Sequence, residues 1–176
     1  MSTRAAVFLD RDGVLNEVVT RDGNPESPRR IDEFKLAADA VAAVSRLKEA
    51  GLPVLVVTNQ PDITRGLLPP AELDGMFAQL SERVGIDDAA FCPHEDGEGC
   101  ECRKPLPGML RELAQRWDVD LARSFMVGDT WRDMIAGRAA GCRTVLLRTS
   151  YNVGTAGDAE AATLSEAVDW ILGEVR

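Results

Sequence analysis

Residues 5–13 read Ala-Ala-Val-Phe-Leu-Asp-Arg-Asp-Gly. An apolar run ending in two carboxylates and a glycine predicts a buried strand over 5–10 that enters a polar turn. Side chains alternate along a strand, so residues two apart point the same way. Asp10 and Asp12 then face one pocket, provided the strand geometry persists to its end. Two close carboxylates repel unless a cation or a proton relieves them. Mg²⁺, a hard cation that takes oxygen ligands, is the natural relief. The arrangement suits phosphate chemistry: one Asp can attack phosphorus, a metal can neutralise the phosphoryl oxygens, and the other Asp can move a proton. The competing reading is a surface turn that carries Asp-x-Asp-Gly by chance.

Three later segments weigh against chance. Val54-Leu55-Val56-Val57 is an apolar run of the parallel, fully buried kind, and it ends in Thr58, Asn59 and Gln60, which can hydrogen-bond phosphate or sugar hydroxyls. Arg103 and Lys104 place two cations ahead of a helix start at Pro107. Phe125-Met126-Val127-Gly128 is another apolar strand, followed by Asp129, Thr130 and, four residues beyond Asp129, Asp133. In an open α/β sheet, ligands bind outside the carboxyl ends of the strands, and all of these segments put chemistry at such ends.

The rest of the pattern agrees. Strands are expected over 5–10, 54–58, 89–92, 124–128 and 143–148, with helices between them. Ala37, Val41, Val44 and Leu47 recur at helical spacing before Gly51; Leu73, Met76, Phe77 and Leu80 share a face of a helix over 70–84. Met109, Leu110, Leu113 and Trp117 point inward from a third helix, 131–140 forms a fourth, and 164–175 closes the chain. Alternating strands and helices define an α/β fold, a Rossmann-like parallel sheet flanked by helices, expected as one domain over residues 1–176. Residues 16–34 are expected as a polar flap beside the pocket, residues 150–163 as a mobile tail, and Cys142 as a small core residue. No segment of cap-domain size follows the first or second strand, so the cap is minimal and the pocket open.

Asp10-x-Asp12-Gly-Val-Leu-Asn16, Thr58-Asn59, Lys104, and Gly128-Asp129 with Asp133 match, in order, the four motifs of the haloacid-dehalogenase-like phosphohydrolases, which the chain resembles. The resemblance implies a nucleophile at Asp10 that forms an aspartyl-phosphate and an acid–base role for Asp12. It implies Mg²⁺ at Asp10, Asp129 and the backbone carbonyl of Asp12. Thr58 and Lys104 would then hold the transferring phosphoryl group, and Asp133 would stand behind Lys104 or a metal-bound water. The residues alone do not choose nucleophile from acid.

Cys92, His94, Cys100 and Cys102 form a Cys-x-His…Cys-x-Cys set around Gly97 and Gly99, and use the chain's single histidine. Three thiolates and one imidazole make a closed tetrahedral Zn²⁺ site that shapes a loop and leaves no position for water. A disulfide framework does not suit four cysteines without a secretory signal. This zinc loop, with Thr58-Asn59-Gln60 and Ile63-x-Arg65-Gly66, is similar to that of the D-glycero-D-manno-heptose 1,7-bisphosphate 7-phosphatases; the histidinol-phosphate phosphatases share it. The resemblance implies a small phosphorylated sugar as substrate, contacted by Asn59, Gln60, Arg65, Arg103 and Thr130, with Arg65 able to hold a second anionic group. Asp62 departs from the commoner pattern by adding a negative charge beside a phosphate pocket, and Asp62 or Glu17 could serve an amine-bearing substrate instead. A phosphate-binding module without turnover is the alternative of another class, and the intact motif set argues against it.

A net charge of −9 argues against nucleic acid as a partner, because binding its phosphate backbone needs clustered Lys and Arg. No run approaches the ~20 apolar residues of a membrane span, and Met1-Ser2-Thr3-Arg4 leads directly into the first strand without a signal sequence. The expectation is a cytoplasmic monomer, where reduced thiols can hold zinc.

Overall fold

The computed structural model describes residues 4–175. Strand β1 spans Val7–Leu9, and its two neighbours are β4 (Val54–Asn59) and β6 (Phe125–Gly128), both parallel to it. Strand β5 (Asp88–Cys92) lies outside β4, and β7 (Arg143–Leu147) and β8 (Ala159–Ala161) lie beyond β6. The order β5-β4-β1-β6-β7-β8 is parallel throughout. The carboxyl ends of β4, β1 and β6 are therefore adjacent, and Asn59, Asp10 and Asp129 stand at them.

Alternation divides the apolar side chains between two layers. Val7, Leu9, Val54, Val56, Val127 and Val145 face helices α1 (Ala40–Glu49), α2 (Pro70–Gln79) and α5 (Leu164–Glu174). Phe8, Leu55, Val57, Ala90 and Met126 face helices α3 (Gly108–Trp117) and α4 (Trp131–Ala140). A strand buried on both faces must be apolar at every position, which is why β1 and β4 read as unbroken apolar runs. Helix α2 continues into a π-helical turn over Leu80–Val84 that stops at Gly85. Among the described residues no helix is long and apolar enough to cross a membrane.

Three expectations are corrected. Residues 16–34 do lie beside the cavity, but not as a loop alone: Val19–Arg21 (β2) and Asn24–Glu26 (β3) pair as an antiparallel hairpin. Residues 150–163 hold β8, pinned to β7 by Asp158, whose carboxylate accepts from the Thr144 backbone N–H (2.7 Å) and hydroxyl (2.8 Å). Val41, expected inward, is exposed; helix α1 buries Ala40, Ala43, Val44 and Leu47 instead. Cys142 is buried as expected, and burial pushes its thiol up to about 12.

Candidate active site

Asp10 follows β1 and ends its run at the bottom of an open cavity of about 390 Å³. Its Oδ1 accepts from the Arg11 backbone N–H (2.7 Å) and pairs with Lys104 Nζ (3.0 Å). Burial, then the neighbouring Asp133 carboxylate, raises the Asp10 pKa well above the usual carboxylate range, against the pull of Lys104. Asp129, at the end of β6, is raised to about 6 by burial and by Asp133. Asp10, Asp129 and Asp133 offer oxygens that lie within 4.8 Å of one another.

Lys104 is the counter-charge. Its buried ammonium donates to Asp133 Oδ1 (2.6 Å) and to the Val57 carbonyl (2.8 Å). Asn59 fixes the lysine's backbone: its side-chain amide donates to the Lys104 carbonyl and accepts from the Lys104 N–H, both at 3.0 Å. Asp133 Oδ2 is committed to Thr130, accepting from its backbone N–H (3.0 Å) and its hydroxyl (2.8 Å), which closes the first turn of α4. Gly128 makes room for this turn, since a Cβ there would stand 2.2 Å from the Asp133 Cβ.

The three-carboxylate cluster fits a hard divalent cation. Asp129 Oδ1 is buried without a hydrogen-bond partner, and a buried unpaired carboxylate oxygen is costly. Asp129 Oδ2 accepts from the Tyr151 hydroxyl, and the Asn152 side chain holds the Asp129 carbonyl at 2.9 Å. Gly13 lies directly against these groups with φ +82°, and a Cβ there would meet Asp129 Oδ2 at 2.0 Å. Both oxygens of Asp133 are engaged, so it offers an ion less than Asp10 and Asp129 do.

Asp12 differs from Asp10. Burial pushes its pKa up, but Arg11 and hydrogen bonds from Asn16, Ser27 and Gln60 outweigh this and hold it below the usual range. Arg11 Nε donates to Oδ1 (3.0 Å) and Nη2 to Oδ2 (3.1 Å), while Asn16 reaches Oδ1 (2.9 Å), and Ser27 and Gln60 reach Oδ2 (both 2.8 Å). Ser27, just past β3, is how the hairpin docks onto the site. Gln60 is fully buried behind Asp12 and also donates to Thr58 Oγ1 (3.0 Å); it supports the site and is not on the cavity wall. Thr58, Asn59, Arg65, Arg103, Lys104 and Thr130 do line the cavity.

The Asp62 carboxylate is buried and sandwiched between Arg29 Nε (2.7 Å) and Arg65 Nη1 (3.1 Å). The sequence shows it as an added negative charge; the structure shows that charge neutralised. Sequence reasoning missed Arg29, Arg132, Ser27 and Tyr151, which reach the cavity from loops and a helix start with no motif to mark them.

At the end of β5 and in the loop after it, Cys92, His94, Cys100 and Cys102 converge, their ligand atoms within 4.8 Å of one another, and all four cysteines of the chain are free. Thiolates bound at ~2.3 Å to a tetrahedral ion stand about 3.8 Å apart; Cys92 and Cys100 stand at 3.7 Å, whereas Cys92 and Cys102, at 2.9 Å, would have to spread to take the ion. Burial pushes the Cys92 thiol up to about 12, a penalty that a coordinating cation reverses.

A parallel sheet that brings an aspartate, a buried lysine and a second acidic strand end to one cavity defines a class of hydrolase. The chain belongs to the haloacid dehalogenase-like hydrolases, whose family model matches residues 26–141. Within that class it is similar to the D-glycero-β-D-manno-heptose-1,7-bisphosphate 7-phosphatase of Pseudomonas aeruginosa, with 38% identity over 160 residues covering 88% of this chain and 87% of the relative. The enzyme of the same name from Bordetella bronchiseptica is 43% identical over 148 residues, covering 81% of this chain and 80% of the relative. A solved structure of the B. bronchiseptica D,D-heptose 1,7-bisphosphate phosphatase, complexed with magnesium and phosphate, matches with a TM-score of 0.85 at 34% identity, covering 97% of this chain and 99% of that one.

Proposed function

We propose that the protein is a phosphatase that removes the C7 phosphate of D-glycero-D-manno-heptose 1,7-bisphosphate, working as one domain over residues 1–176 and as a cytoplasmic monomer. The observation that carries the chemistry is the buried Lys104 ammonium shared by Asp10 and Asp133, with the unpartnered Asp129 oxygen beside them. The similarity to named heptose bisphosphate phosphatases supports the substrate.

The Arg11 N–H and Lys104 both hold Asp10 Oδ1, which leaves Oδ2 to attack phosphorus. The P–O bond to the sugar breaks, Asp12, having first taken up a proton from solvent, delivers it to the leaving oxygen, and an aspartyl-phosphate remains. Asp12 then takes a proton from water, which attacks phosphorus and frees Asp10. The donors around Asp12 favour its carboxylate, so the resting site is set for this second half. Thr58 donates its hydroxyl to the phosphoryl group and Lys104 neutralises it. Asn59, Gln60 and Thr130 keep Lys104, Asp12 and Asp133 in place behind the reacting group. Arg103 and Arg65 act at the cavity rim. Mg²⁺, held by Asp10, Asp129 and the Asp12 carbonyl with Asp133 behind, would neutralise the phosphoryl oxygens. Cys92, His94, Cys100 and Cys102 would hold Zn²⁺ as a closed structural set.

Histidinol phosphate, the alternative substrate, draws on Asp62 or Glu17 to meet an amine. Asp62 is already matched by two arginines and Glu17 is not on the cavity wall, so neither supports it. The test is kcat/KM on both heptose bisphosphate anomers and on histidinol phosphate. Heptose bisphosphate should exceed histidinol phosphate, and Asp10→Asn should abolish turnover on all of them. A ratio below one would overturn the substrate; an active Asp10→Asn would overturn the covalent step.

A further inference from the structure

The cavity rim carries four guanidiniums, and their charges are not equally matched. On one side, Arg29 and Arg65 meet three carboxylates: Glu26 pairs with Arg29 (2.9 Å), Asp62 sits between the two arginines, and Glu95 pairs with Arg65. Glu26 also takes Arg21, which has Glu33 as a second partner (2.6 Å). Positive charge on this side is used up within the protein. On the other side, Arg103 and Arg132 share one carboxylate, Asp96, which accepts from Arg103 Nε (2.7 Å) at one oxygen and from Arg132 Nη2 (3.1 Å) at the other. Two cations on one anion leave a surplus positive charge facing the cavity.

Arg132 has further marks of an unfilled role. Its Nε is buried and has no hydrogen-bond partner. Its guanidinium carbon lies 4.8 Å from the centre of the Trp131 ring, a cation–π contact. It stands in the first turn of α4, where the helix dipole disfavours a cation. An arginine kept there, oriented by an aromatic face and a shared carboxylate, with a donor left over, is placed to receive an anion. Guanidiniums take phosphate through paired N–H donors, so two side by side suit a dianionic phosphate.

We propose that Arg132, set beside Arg103 by Asp96, binds the non-reacting phosphate of a bisphosphate substrate, and that Asp96 is the positioning residue for both guanidiniums. This deepens the proposed function and rests on it: the reacting phosphate goes to Asp10, and the second anion goes to the Arg103–Asp96–Arg132 side. Arg65, the sequence-based candidate for that anion, is matched by its own carboxylates. Binding energy from the remote phosphate holds the bisphosphate in the ground state and the transition state alike, which lowers its KM. Asp96 belongs to the Cys/His loop, so that loop carries part of the substrate's recognition as well as its own metal ligands.

The test is the ratio of kcat/KM for heptose 1,7-bisphosphate to that for heptose 7-phosphate, which shares the reacting group and lacks the other. Loss of a charge-assisted hydrogen bond predicts a fall of roughly tenfold or more in this ratio for Arg132→Gln. The loss should appear in KM for the bisphosphate and not in kcat, and Arg132→Lys should recover part of it. Asp96→Asn should move the ratio in the same direction while zinc content by elemental analysis stays at the wild-type level. A wild-type ratio retained in Arg132→Gln, or an equal loss on both substrates, would overturn the clamp. A wild-type enzyme that prefers histidinol phosphate would instead overturn the substrate reading, and the bisphosphate ratio in the variants separates the two failures.

Discussion

Lys104→Met keeps the length of the side chain and removes its ammonium. The wild-type group is 2% exposed and makes three contacts: Asp133 at 2.6 Å, Val57 O at 2.8 Å and Asp10 at 3.0 Å. Removing one partner of a buried ion pair costs about 3–5 kcal/mol, because the remaining charge is left uncompensated. Asp10 is already raised well above the usual carboxylate range and takes up a proton readily once the cation is gone. That relief favours the lower end, about 3 kcal/mol. In a chain of this size 1 kcal/mol is worth about 2–4 °C, so the melting temperature should fall by about 6–12 °C. Turnover should fall by about 10²–10³, the usual loss when a preorganised charge facing the reacting group is removed. The assay is urea unfolding without added magnesium, so that bound metal does not mask the loss, repeated on Asp133→Asn and on the double variant. The double-mutant cycle should show a coupling of about 1–3 kcal/mol. Additivity within about 0.5 kcal/mol, or a single variant within about 1 kcal/mol of wild type, would refute a shared buried charge network.

Cys100→Ser should lower zinc from about one ion per chain and reduce stability, read by elemental analysis and thermal melting; a wild-type protein free of zinc after reductant treatment without chelator would sink the site. Gly13→Ala forces a Cβ to 2.0 Å from Asp129 Oδ2 at a φ of +82°, and should weaken magnesium binding at least about tenfold by calorimetry; unchanged affinity would show that this loop does not hold Asp129. Burial raises the Asp88 pKa, but bonds from Trp117 Nε1 (2.8 Å) and Arg116 hold it below the usual value, so its contribution to stability is present above about pH 4 and fades as pH falls through the lowered value. The stability difference between wild type and Asp88→Asn should therefore be largest near neutrality and shrink as pH falls below the ordinary carboxylate range; a difference constant with pH refutes the sign.

The parts of the fold that were legible are those where burial writes itself into composition. Strands β1, β4 and β6 are covered on both faces, so their apolar runs and polar ends mark both the sheet and the cavity floor. The hairpin β2–β3 left no such trace, because Val19–Arg21 and Asn24–Glu26 are short, largely exposed and interrupted by Pro25. Strand β8 is Ala-Glu-Ala, with no preference of its own; the free edge of β7 and the Asp158–Thr144 bonds recruit it. The motif residues were visible because they sit at fixed offsets from strand ends. Ser27, Tyr151 and Arg132 were not, because they arrive through space from segments whose local sequence says nothing about the cavity. Asp62 shows a different limit: its charge is plain in the sequence, but its two arginine partners are 33 and 3 residues away.

Strand β1 leads into Asp10, the proposed nucleophile, and lies between β4 and β6. Ala6 at its start bonds Ser124, 118 residues further along the chain. On the ribosome the order of events is therefore fixed. Asp10 is made among the first residues, but one edge of the strand before it stays open through the synthesis of everything up to β6. An open apolar edge of this kind invites pairing with other chains, and such long-range closure is slow. The strand that closes this edge ends immediately before Asp129, and Tyr151 and Asn152 follow soon after to hold it. A growing chain thus leaves one edge of β1 unpaired until residues 125–128 are made, and the cavity floor is completed only once that strand is in place.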